Sequence, residues 1–273
     1  MTDTRTALVT GANSGVGLAT VVELARRGFR VVGTVRSEAK AVAVEEAAAR
    51  AGVLVETRLL DVTDADGCAA VLAELELDAL VNNAGYGLTG AVEDVSDDEA
   101  RRLFETMVFA PLRLARLALP GMRARGEGRI VMVSSIYGRV STPLTGWYQA
   151  AKHALEGISD ALRMEVARDG IRVILIEPGG LRTGIWDDLH RDVETRGGSA
   201  YGNAYRRTEG MMRRASPLMG EPERCARVIA AAITSSRPRS RYLVGVDARL
   251  TALAAQTVPT PIQDRLTRRV LGL

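Results

Sequence analysis

The sequence predicts an α/β protein: a single-domain, doubly wound parallel sheet of about seven strands with helices on both faces. Three observations predict it. Short β-branched apolar runs alternate with longer alanine-rich amphipathic stretches through most of the 273 residues, the pattern of parallel strands joined by crossover helices. A glycine-rich loop stands at the first strand-to-helix turn, and neither a Pro/Gly/Ser-rich linker nor an internal repeat divides the chain.

Taken in order, TALVT marks a strand near 5–10, and a helix near 15–28 follows the glycines. VVGTV gives a strand near 30–35 and the alanine-rich run after it a helix near 38–51. VLVETRLL reads as a strand near 53–60 before a helix near 64–75, and ALVN as a strand near 78–82 before a long helix near 97–125. RIVMVSS supplies a strand near 128–134 and leads to a helix near 146–169; RVILIE follows near 171–177. A helix near 221–235 and the strand RYLVGV near 241–246 complete the alternation. Two regions interrupt it. Residues 180–220 mix glycines, charges, tyrosines and methionines without core-like regularity, which suits a lid over a ligand crevice. From Asp247 the tail reads as two short helices separated by Pro259 and Pro261; Ile262, Leu266, Val270 and Leu273 share a face expected to pack on the body or a sister subunit.

Composition excludes several functions. A hydrophobic fraction of 47% is that of an ordinary globule, and a net charge of +3 without a basic block gives no footprint for nucleic acid. Cys68 and Cys225 lie far apart, and His153 and His190 form no cluster, so neither a disulfide scaffold nor a metal site is expected. The opening MTDTRTALVTG has the pattern of neither a signal peptide nor a transit sequence, and no apolar run reaches the ~20 residues a bilayer requires. A cytoplasmic protein with reduced thiols and no membrane contact is expected.

TGANSGVG, Thr10–Gly17, has the context of a dinucleotide fingerprint. Gly11 allows the tight turn, Gly15 the approach of a pyrophosphate and Gly17 close helix-on-sheet packing. Asn13, Ser14 and Val16 complete the loop, and the helix N-terminus offers free amides to phosphate. At the end of the second strand, VVGTVRSEAK carries Arg36 where an acid would bind the ribose of NAD(H). Arg36, with Ser14 and Ser37, suits a 2′-phosphate, so NADP(H) is the expected cofactor.

Tyr148 and Lys152 in WYQAAKHAL are one helical turn apart, on one face. An ammonium there is expected to lower the phenol's pKa from about 10 towards neutrality, making it a proton donor and acceptor at physiological pH.

Together these motifs resemble the short-chain dehydrogenase/reductase family. Its TGxxxGxG loop matches Gly11–Gly17, its NNAG matches Asn82–Gly85, Ser135 stands in VSSIYG, YxxxK is Tyr148–Lys152, and IEPGGLRT at 176–183 matches its PG segment and following threonine. RYLVGVDARL is similar to the steroid and retinol branch. The resemblance implies a Rossmann-like fold and an oxidoreductase interconverting a ketone or aldehyde with an alcohol, as a ketoreductase does. It makes Tyr148 the general acid, Lys152 its tuner and holder of the nicotinamide ribose, and Ser135 the donor orienting the substrate oxygen. It assigns cofactor contacts to Asp61 and Val62, to Asn82, Asn83, Ala84 and Gly85, and to Pro178, Gly179 and Thr183. A homodimer or homotetramer through the helices near 97–125 and 146–169 is also implied.

One position departs from the pattern: FETMVFAPLRL has Met107 where the family carries a relay asparagine. Either a neighbouring group supports the proton relay, or the pocket serves a non-redox reaction such as cyclisation or isomerisation. A cofactor-binding regulator without turnover is a third reading, opposed by the intact Ser135, Tyr148 and Lys152. Residues 86–95 are expected to form one substrate wall, with Ile136, Tyr137, Leu144, Trp147 and Gly180 the other. Trp147, Trp186, Tyr201, Tyr205, Met211 and Met212 suggest a largely apolar pocket for a bulky carbonyl compound.

Overall fold

All five residues of the strand β1 (Thr6–Thr10) are buried, as a strand covered on both faces requires. Their side chains alternate between two cores, which is the period-2 rule applied to a buried strand. Ala7 and Val9 join a core with α1 (Gly15–Arg26), α2 (Glu38–Ala51) and α9 (Pro222–Thr234), whereas Leu8 faces α3 (Ala65–Ala73), α5 (Ala110–Arg125) and α6 (Gly146–Glu165). The structure, a computed structural model, describes residues 4–273, and the side chains of residues 185–187 and 218 lie outside the described set.

β1 pairs with β2 (Arg30–Val35) on one side and β4 (Ala79–Asn82) on the other, with Leu8 opposite both Val32 and Leu80. β3 (Glu56–Leu59), β5 (Gly128–Val133), β6 (Ile171–Pro178) and β7 (Arg241–Val244) complete an all-parallel sheet in the order β3-β2-β1-β4-β5-β6-β7. The chain winds outward from β1 to β3, then returns beside β1 and winds the other way. The reversal opens a crevice at the carboxyl ends of β1 and β4.

The predicted element order is observed, with local differences that have physical causes. The helix expected over 97–125 is three pieces: α4 (Asp97–Phe104), a π-helical turn at Glu105–Phe109, and α5. Pro111 has no N–H to return to the carbonyls one turn back, so the ladder is widened there. The expected irregular segment contains two helices, α7 (Ile185–Arg196) and α8 (Gly202–Ala215). Their apolar stripe is short, Leu189 and Val193 on α7 and Ala204 and Tyr205 on α8, which hides it among charges. The tail forms α10 (Val246–Thr257) and α11 (Thr260–Leu271). Pro261 lies within the first turn of α11, where a missing N–H costs nothing, so only Val258 and Pro259 separate the helices. Among the described residues no helix is long and apolar enough to cross a membrane.

Candidate active site

The glycine loop leaves β1 with Gly11 and Gly15 at φ of +66° and +51°, left-handed values that favour glycine. Gly17 is required for a different reason: a Cβ there would lie 2.2 Å from the Gly11 carbonyl oxygen. Asn83 braces this turn, its Nδ2 donating to the carbonyls of Thr10 (2.9 Å) and Gly11 (3.2 Å). The amides of Asn83 and Ala84 in turn donate to Thr10 Oγ1, each at 3.0 Å. Asn13 and Val16 are half-buried in the loop, and the Ser14 side chain makes no capping bond to α1. The first-turn amides therefore remain available, and this cradle fits the phosphates of a dinucleotide.

Arg36 is exposed just past β2, and the Ser37 hydroxyl makes no capping bond to α2. Hydrogen bonds from Thr63 hold the Asp61 carboxyl below its usual range, and the Arg36 charge adds to the effect. Asp64, not Asp61, caps α3 by accepting from the amides of Asp66 and Gly67. Val62 is buried, and its carbonyl accepts from Arg113 Nη1 at 3.1 Å. Asn82 does not point into the crevice: its Nδ2 donates to the Pro111 carbonyl at 3.2 Å, tying β4 to α5.

The loop after β5 and the first turns of α6 bring Ser135, Tyr148 and Lys152 together. The Ser135 hydroxyl stands beside the Tyr148 phenol and accepts from the Tyr137 amide at 3.1 Å. Tyr137 stands edge-on to Tyr148, ring centroids 6.3 Å apart. Lys152 Nζ lies 5.7 Å from the Tyr148 ring centroid and donates to the Val133 carbonyl at 2.9 Å. Burial pushes the Tyr148 phenol up to about 12, opposed by the Ser135 hydrogen bond. Burial pulls Lys152 down to about 8, opposed by the Glu156 charge. The expected lowering of the tyrosine by the lysine is thus not found: Nζ is aimed at a carbonyl, and its own charge is penalised by burial.

Met107 lies in the π-helical turn and is 2% exposed. It packs in a cluster with Leu88, Leu103, Val108 and Ala151, on which Trp147 and Tyr148 also rest. Its side chain fills the space beside Gly85, while the widened turn and Pro111 leave a carbonyl at 106 or 107 without an in-helix donor.

The two expected walls meet, though several aromatic residues fasten them instead of lining a pocket. Trp147 Nε1 donates to the Val92 carbonyl at 3.2 Å, and its ring stands edge-on to Phe104. Tyr205, wholly buried, donates to Asp94 (2.7 Å) and accepts from the Ala91 amide (2.7 Å). Tyr201, Met211 and Met212 pack against the same cluster, while the Trp186 side chain is outside the described residues. Asp188 and Asp192 of α7 accept from the amides of Gly87 (3.1 Å) and Thr89 (2.7 Å), closing α7 onto the 86–95 wall. Leu144 holds φ of +68°, a strained conformation for a branched residue, and its carbonyl accepts from the Gly90 amide.

At the end of β6, Pro178 is buried and the Gly179 amide donates to the Val244 carbonyl at 2.9 Å. The Gly180 amide donates to Asp247 Oδ2 at 2.6 Å, and a Cβ on Gly179 would lie 2.1 Å from that oxygen. Thr183 reaches back to the glycine loop, its Cγ2 lying 3.1 Å from where a Gly15 Cβ would stand. Asp247 is not expected from the sequence; its only signal is an acid two residues past the glycine that follows β7. The acids Asp188 and Asp192 were hidden within a segment read as irregular.

A doubly wound sheet with a glycine cradle at its switch point and a Ser–Tyr–Lys group beside it defines a nucleotide-dependent oxidoreductase. The sequence profile of the short chain dehydrogenase family matches residues 5–194, and the chain belongs to that family. It is 35% identical to the uncharacterised oxidoreductase YusZ of Bacillus subtilis, covering 97% of this chain and 98% of that one. Human retinol dehydrogenase 8 is 37% identical over 66% of this chain and 60% of its own length. Among solved structures, a short-chain dehydrogenase from Streptomyces avermitilis superposes with a TM-score of 0.80 at 33% identity, covering 98% and 97% of the two chains. A variant of the actinorhodin polyketide ketoreductase with NADPH superposes with a TM-score of 0.79 at 28% identity, covering 92% and 98%.

Proposed function

We propose that this oxidoreductase uses NADPH to reduce a ketone or aldehyde on a bulky, largely apolar substrate. The observation that carries the reading is the meeting of Ser135 and Tyr148, with Lys152 Nζ 5.7 Å from the Tyr148 ring centroid. A phenol whose pKa lies near 12 is protonated at neutral pH, which suits donation to a carbonyl. Ser135 orients the substrate oxygen against Tyr148, so two donors meet the negative charge that develops there. Bound NADPH supplies the hydride. The glycine loop holds its phosphates, Arg36 with Ser14 and Ser37 its 2′-phosphate, and Asp61, the Val62 backbone, Ala84, Gly85, Pro178, Gly179 and Thr183 flank it. NADPH in the superposed ketoreductase supports the choice of cofactor, and the likeness to human retinol dehydrogenase 8 supports an apolar substrate.

The non-redox alternative rested on Met107, and the carbonyl freed by Pro111 weakens that argument. Exposed Phe109 and Leu117 on the 105–125 stretch and Ile158 and Met164 on α6 support self-association through these helices; light scattering tests it. The test of function is NADPH oxidation across a panel of bulky ketones, with Tyr148→Phe beside the native protein. Activity is expected from the native protein and a loss of about 10²–10⁴-fold in the variant. Product formed without nicotinamide consumption would overturn the redox reading.

A further inference from the structure

Behind Lys152, a group of buried charges has no part in the reaction described above. Glu156, one turn further along α6, is 6% exposed, and Glu177 on β6 is 0% exposed. Arg241 of β7 joins them, its Nη2 lying 3.0 Å from Glu156 Oε2 and its Nε 3.0 Å from Glu177 Oε1. Arg139, just after β5, lies 3.4 Å from Glu177 Oε2. Asp160 and Arg163 of α6 close the group, both bound to each other and Asp160 also to Arg241.

For a purely structural ion-pair network, too much of it is unsatisfied. Glu156 Oε1 and Ser134 Oγ are buried without a hydrogen-bond partner, while the Glu177 oxygens are held by the ion pairs to Arg241 and Arg139. Native proteins rarely leave two such atoms side by side. Both face Gly138, where a Cβ would lie 2.8 Å from Ser134 Oγ and 3.2 Å from Glu156 Oε1. With no side chain on Gly138 the two atoms face one another, a setting whose polarity suits a bridging water. At the outer end, Arg139 and Arg241 line a surface groove of about 470 Å³ with Arg239, Tyr242 and Arg249. The group therefore runs from a buried lysine to solvent.

We propose that Glu156 and Glu177, with Ser134, form a proton conduit that resupplies Lys152 from the arginine-lined groove. The proposal rests on the reading of Tyr148 as proton donor. When the Tyr148 O–H bond breaks and its proton passes to the substrate oxygen, the phenolate regains a proton from the Lys152 ammonium. That transfer crosses an intervening hydroxyl or water, since Nζ is 5.7 Å from the ring centroid. The neutral amine takes the proton held by the Glu156–Glu177 pair, which regains one from water in the groove. One solvent proton enters per turnover and no electron moves along this path. Two buried carboxylates brought together on Arg241 favour holding a proton between them. In agreement, burial and the Glu156 charge raise the Glu177 pKa towards the working range. A chain with Met107 in place of the family's asparagine gains a route that does not depend on that side chain.

The test is single-turnover and steady-state reduction of trans-1-decalone by NADPH in Glu156→Gln, Glu177→Gln and Gly138→Ala. The last keeps every charge and fills the gap, so it serves if a carboxamide variant fails to fold. Each variant is expected to lose about tenfold or more in kcat with KM within twofold, to show a larger solvent deuterium effect, and to regain rate with added imidazole. Unchanged kcat, pH profile and isotope effect in the variants, or a loss that imidazole does not restore, overturns the conduit. Tyr148→Phe separates the two readings. A native protein without activity, or a Tyr148→Phe variant that keeps it, sinks the donor reading itself.

Discussion

Met107 closes against Gly85 so tightly that a Cβ on the glycine would lie 2.7 Å from Met107 Cε. The methionine thus occupies, as packing, the place where the family carries a polar side chain. Replacing Met107 with asparagine buries an amide among Leu88, Leu103 and Val108. The variant is expected to lose about 2 kcal/mol of stability, seen as a melting point lowered by roughly 4–8 °C, while kcat changes less than about threefold. A large gain in turnover would show that the native chain lacks a working relay.

Lys152, a candidate site residue, is held at a cost to the fold. Its folded pKa of about 8 lies below the unfolded value of 10.5, so between these values the unfolded chain binds more protons. Stability is expected to rise with pH through that window and to carry the full penalty below it. Lys152→Met removes the penalty but orphans the Val133 carbonyl. A net gain of about 1–2 kcal/mol at pH 7, with reduction abolished, should appear in denaturant titrations. A destabilised variant would contradict the burial argument.

Arg36 stands free of carboxylate ion pairs among the described residues, apart from the field of Asp61. Arg36→Asp should weaken NADPH binding about 10–100-fold, the worth of a charge-assisted phosphate contact, and leave NADH binding unchanged or tighter. Fluorescence titration of both cofactors reads the ratio; an unchanged ratio removes Arg36 from the cofactor site.

Tyr205→Phe unlatches α8 from the 91–94 wall. The Ala91 amide and Asp94 lose their shared partner in a buried setting, which should lower stability by about 1–3 kcal/mol. If α7 and α8 cover the substrate, KM for the ketone should rise more than kcat falls. An unchanged KM would mean that these helices only complete the fold.

The sheet and the glycine cradle were legible because each is written locally. TALVT is buried on both faces, and Gly11 and Gly17 answer to backbone demands that no other residue meets. Ser135, Tyr148 and Lys152 were legible through spacing. Their protonation was not, because Tyr148 is governed by how deeply its hydroxyl is buried, which only the packed chain sets. The π-helical turn was missed although Pro111 announced it, since a widened helix and a continued one share the same apolar period. Asn82 was read with its neighbours as a crevice residue, but the strand's alternation turns it away from Asn83 and into α5. Residues that act across long separations, such as Tyr205 on Asp94 or Asp188 on Gly87, leave no periodic trace at all.

The grip of Asp247 on the Gly180 amide spans 67 residues of sequence. During synthesis the sheet's first strands emerge and pair early, and domains fold as units from the N-terminal side. The turn after β6 must nevertheless wait for an acid made long after it. A nascent chain therefore holds glycines and hydroxyls ready but has no finished crevice, and competence to bind arrives late, when the final helices leave the ribosome and lock the turn from outside.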